Sequence, residues 1–144
     1  MPKKPRRAKR QEVLNRTIDI TSFGTSLRVG VDGPRDPEPE IEVKSWLELR
    51  GVLDEPVRQT SDIVLSLYPD ARTKVGTARP PAVGAIIGAR SAVEAVISLP
   101  FADFDRLWLF ALSGHLKHAW MAFTKPHYNR GLVLAVSFSS QREE

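Results

Sequence analysis

The chain of 144 residues contains no cysteine. That absence excludes disulfides, thiol nucleophiles and thiolate metal sites, and it suits a reducing, cytoplasmic setting. Long apolar runs are missing too. The stretch LWLFAL, residues 107–112, is among the longest, far below the roughly 20 residues that span a bilayer, so no membrane partner is expected. The basic start is followed by QEVLNRTIDI instead of an apolar segment with a small-residue cleavage site, which argues against a secretory signal. Histidine is scarce, and His115, His118 and His127 all fall in one stretch, HLKHAWMAFTKPHYNRG. No GxSxG, HExxH or paired-carboxylate signature is present, so the sequence nominates no catalytic residue and asks for no cofactor.

What is there describes an ordinary globular chain. Apolar residues make up 42% and charged residues 26%, both typical of soluble domains. The length fits one domain, which at this size buries about 68–70% of its unfolded surface. The net charge of +4 is unevenly placed. Residues 1–10 carry Lys3, Lys4, Arg6, Arg7, Lys9 and Arg10 and no acid. Removing those six from 21 cations leaves 15 against 17 anions, so residues 11–144 sum to −2. The expected organisation is a disordered basic arm over residues 1–15 and a single β-rich domain over 16–144.

Alternation dominates that domain. Ile18 and Ile20 in RTIDITS, then Leu27, Val29 and Val31 in SLRVGVD, suggest two short strands joined by a turn at residues 23–25. GPRDPEPE, residues 33–40, has three prolines, and residues 32–42 hold five carboxylates against Arg35; this reads as a solvated loop. IEVKSWLELR, residues 41–50, places Ile41, Val43, Ser45, Leu47 and Leu49 on one face. Trp46 is the exception on the otherwise polar other face, as expected for an antiparallel sheet with one wet side. Further strands are predicted over 62–69, 82–90 and 92–99, with a flexible basic loop at 70–81.

One helix is predicted near residues 103–113, because Phe104, Leu107, Trp108 and Ala111 recur at helical spacing. Asp103 would cap it and Gly114 would follow it. Leu109, Phe110 and Leu112 widen its apolar surface, so cover on more than one side is expected. Residues 115–124 and 131–140 then read as a hairpin, with Leu132, Leu134, Val136 and Phe138 inward. The fold expected is mainly β: an antiparallel β-sandwich or partly open barrel with one helix, or failing that a layered α+β arrangement.

Several functional readings compete. A histidine metal site is disfavoured, because His115 and His118 would leave opposite faces of a strand and His127 belongs to the turn. The pair Gly84 and Gly88 lacks the GK[ST] ending of a phosphate loop. Nucleic-acid binding has more support: the six tail cations would neutralise phosphates, joined by Lys125, Arg130, His127 and Tyr128 at the hairpin tip, where rings stack on bases. KPHYNRG is also simply good turn chemistry, and a basic tail is often no more than solubilising. A protein-interaction module would use Trp46, with His118 and Trp120 if Met121 and Phe123 face inward. An enzyme would have to gather Asp103 or Asp105 with His115 or His118. Exposed edge strands would allow a homo-oligomer.

Overall fold

The structure, a computed structural model, describes residues 12–70 and 82–141. Of the arm expected over 1–15, residues 1–11 lie outside the described residues and Val13, Leu14 and Asn15 belong to a strand; residues 71–81 lie outside them too. Seven strands form: β1 (Val13–Asp32), β2 (Glu40–Val57), β3 (Thr60–Pro69), β4 (Gly84–Ala89), β5 (Val93–Leu99), β6 (His118–Thr124) and β7 (Gly131–Ser139). One helix, α1 (Phe101–Leu112), separates β5 from β6.

The strands close into a barrel in the order β1-β2-β3-β5-β4-β7-β6, with β6 pairing back onto β1. The described residues thus build the mainly β fold with a single helix, in the closed form of a barrel. All the pairings are antiparallel except β3 with β5, which run parallel from Ile63↔Val93 to Pro69↔Leu99. Inward rows of period 2 fill the interior. Leu47 and Leu49 of β2, Ile63, Leu65 and Leu67 of β3, and Ile97 of β5 are all buried. On β6, Met121 and Phe123 point inward and Trp120 outward, the parity that the sequence favoured. Each such side chain contributes about 1.5–3 kcal/mol relative to exposure.

Two expectations about strands and two about the helix are corrected. No turn forms at residues 23–25. Gly24 does not take a positive φ, and pairing runs through it, Phe23↔Leu49, Gly24↔Glu48, Thr25↔Leu47, after one irregularity between Ile20 and Ser22. The chain reverses instead at Gly33, whose φ is 63° and whose carbonyl accepts the Asp36 N–H at 2.8 Å. β1 and β2 therefore make one long hairpin. In β7 a register shift opposite Ala122 and Phe123 switches the inward parity. Val133 is fully buried, Leu134 is exposed, and Val136 and Phe138 pack on the core. Such a bulge opposes two residues to one and so changes which residues face in.

The helix begins at Phe101, with Pro100 in the capping position and no side-chain cap. Asp103 sits inside the first turn, 4.0 Å from Arg106, where the helix dipole favours a carboxylate. Phe104, Leu107 and Ala111 are buried, while Leu109 and Leu112 stay bare; cover comes from one side only. Gly114 follows at φ 80° as expected. The helix closes the barrel end at which β3 and β5 finish. The opposite end carries the turns β2–β3, β4–β5 and β6–β7, together with Glu12.

Candidate functional site

The loop end is knitted by side chains and backbone from distant parts of the chain. Arg58 donates to the Pro126 carbonyl at 2.9 Å, Thr60 to the Arg90 carbonyl at 2.9 Å, and Arg16 to the Glu55 carbonyl at 3.0 Å. The Lys125 N–H donates to the Glu12 carbonyl at 2.7 Å, and its ammonium lies 3.6 Å from the Glu12 carboxylate. Glu12 is the first described residue; Lys3, Lys4, Arg6, Arg7, Lys9 and Arg10 precede it in the sequence and lie outside the described residues.

Two tight turns shape the surface. Arg58 and Gln59 link β2 to β3, and Tyr128 and Asn129 lie within the His127–Arg130 turn linking β6 to β7. All four have positive φ, and among the described residues they are the only non-glycine residues that do. A hairpin turn of this kind matches the strand twist but normally recruits Asn, Asp or Gly, so Arg, Gln and Tyr here store backbone strain. The result is presentation: Tyr128 is 82% exposed, its ring 4.3 Å from that of His127. Arg90, Arg130, Tyr128 and Glu94 line a recess of about 260 Å³. Carboxylates are interleaved here, Glu12, Asp54, Glu55 and Glu94 among them, with Asp54 accepting the Thr17 and Glu55 N–H groups. The described part of this end is therefore mixed in charge.

The three histidines do not converge. His127 is in the turn, and His115 precedes β6 on the helix side. His118 opens β6, and its Nδ1 lies 2.8 Å from the Asp19 carboxylate, ninety-nine positions away. The acid that meets a histidine is thus Asp19 of β1, and not Asp103 or Asp105, which the sequence placed nearest. Alternation could not find it, because the pairing comes from the β1–β6 register, Asp19↔His118. Among the described residues, no group of three His, Asp or Glu is placed to hold a metal ion.

At the helix end, Trp46 is half-buried and stacks on Tyr68 at 6.5 Å. With Val43, Pro69 and Phe101 these rings line a cleft of about 660 Å³ at the base of the β1–β2 hairpin. Trp120 is half-buried on the outer side of β6, beyond β1, so the structure places it and His118 on a different strand from Trp46. Tyr68 and Phe101 are the members that the sequence did not single out.

The feature least expected is the outer half of the hairpin. Beyond Ser22 and before Trp46, neither strand has a third neighbour among the described residues, and the ribbon projects past the barrel. Its cross-strand pairs Val29↔Val43 and Val31↔Ile41, with Leu27, form one apolar face that is 59–76% exposed. Neither a family model, nor a curated protein, nor a solved structure matches this chain. Among the described residues no helix is long and apolar enough to cross a membrane.

Proposed function

We propose that the protein is a non-catalytic binding or adaptor protein whose basic N-terminal segment and loop end contact a polyanion, nucleic acid first. The observation that carries this reading is positional: Glu12, which follows the six-cation stretch in the sequence, is bonded to Lys125, on the hairpin that also holds His127, Tyr128 and Arg130. Because the described surface there mixes Arg and Lys with carboxylates, the segment supplies the net positive charge. Contacts would be to phosphates, indifferent to sequence and weakened by salt, with Tyr128 available to stack on an unpaired base.

Deleting residues 1–10 tests this. Oligonucleotide affinity, read by fluorescence anisotropy, should fall at least tenfold, about 1.4 kcal/mol, with the thermal midpoint of the barrel unchanged. Equal affinity of the truncated chain would reject the polyanion reading.

A second reading, a protein-interaction module, is favoured by the Trp46–Tyr68 stack in its cleft beside Phe101. Aromatic anchors at a preformed cleft suit a peptide or protein surface. Its binding would persist at high salt and survive the deletion.

A further inference from the structure

Among the described residues the apolar face of the projecting ribbon has no partner, and its composition says what fits it. Leu27, Val29, Val31, Ile41 and Val43 share one side, with Ser45 opposite Leu27 and no charge among them. The same row continues along β2 into Leu47 and Leu49, which are fully buried. The ribbon thus presents a core-type face to solvent. The area left bare is on the order of 500 Å², at the upper end of what monomers expose in one patch.

We infer that this face is covered by the same face of a second copy of the chain, the two ribbons packing face to face and antiparallel across a two-fold axis near Val29 and Val43. Two such faces bury about 1,000 Å² together, the lower bound for a specific interface. A patch that is apolar and uncharged is its own complement, which is what a two-fold contact requires. Stacked ribbons would sit about 10 Å apart, as in any two-layer sheet packing.

Charge sets the direction. The tip, residues 32–40, holds Asp32, Asp36, Glu38 and Glu40 against Arg35. Parallel packing would superpose two acidic tips, and antiparallel packing places them at opposite ends. Each barrel then points its loop end away from the dimer centre, so this inference does not depend on the polyanion reading.

Sedimentation equilibrium of the full chain, in high salt after nuclease treatment, should give twice the 16.1 kDa chain mass. Val29→Asp and Val43→Asp should each return it to the single-chain mass, with a thermal midpoint equal to that of the wild-type chain at dissociating concentration, because both side chains lie outside the core. Arg28→Ala, on the opposite face of the ribbon, should remain a dimer. With no native cysteine, a spin label on Glu38→Cys reports direction: a tip-to-tip distance of about 30 Å fits the antiparallel pair. A wild-type chain of single mass, a dimer indifferent to both aspartates, or tips in contact would each overturn the proposal. The truncation assay on polyanion binding is read separately, so either idea can fail alone.

Discussion

Val43 and Leu47 belong to one alternating row on one strand, four residues apart, yet they meet opposite environments. Leu47 is wholly buried in the barrel, and Val43 is 60% exposed on the ribbon. The local pattern is the same in both halves of β2. What differs is the neighbourhood: from Leu47 onwards β3 pairs along the second edge, the sheet closes, and the face turns inward. Before it, among the described residues, β2 has only β1 beside it. Alternation assigns residues to a face, and the number of strands beyond the pair decides whether that face is covered.

The sharpest way to break this contrast is truncation within the row. Leu47→Ala should destabilise the fold by about 2–5 kcal/mol through lost burial and a residual cavity. Val43→Ala should stay within about 0.5 kcal/mol in the separated chain. Urea denaturation at low concentration, where association is weak, reads both; equal costs would mean that the ribbon is part of the cooperative core.

A second comparison uses glycine. A Cβ at Gly51, in the barrel half, would lie 2.5 Å from the Asp19 carbonyl and 2.7 Å from an Ile18 methyl. Gly51→Ala should therefore cost roughly 1–3 kcal/mol by overpacking. At Gly24 and Gly30, in the ribbon half, nothing lies within 4 Å, so alanine there should be neutral or slightly stabilising in thermal melts. Destabilisation at Gly30 as large as at Gly51 would contradict a free-standing ribbon.

The smallest effect concerns the loop end. Tyr128→Gly removes a tyrosine from φ 51°, and relief of left-handed strain should raise stability by about 0.5–1 kcal/mol. The same change should weaken single-stranded oligonucleotide binding if the ring stacks on a base. A variant both less stable and equally tight would sink the idea that the turn holds the ring out for a ligand.

Much of the architecture was legible in the chain. Period-2 rows located β2, β3 and β5, helical spacing located α1, and Gly114 marked its end. The parity of β6 followed from placing Phe123 inside. The failures have specific causes. FGT looks like a turn, but continuous pairing on β2 held it extended, and the three prolines and Gly33 made the reversal later. The β7 rows shifted because one bulge changes parity without any strong residue signature. The partner of His118 lay ninety-nine positions away, a distance at which spacing carries no information.

The sequence by itself determined the class of object. Alternating apolar residues specify strands, one run at helical spacing specifies a helix, and the absence of cysteine removes thiol chemistry, because these follow from local geometry and side-chain type. Only the tertiary structure decided which faces are covered. Closure of β6 onto β1 buries one half of the long hairpin and leaves the other bare, since burial depends on strands and a helix brought in from elsewhere in the chain.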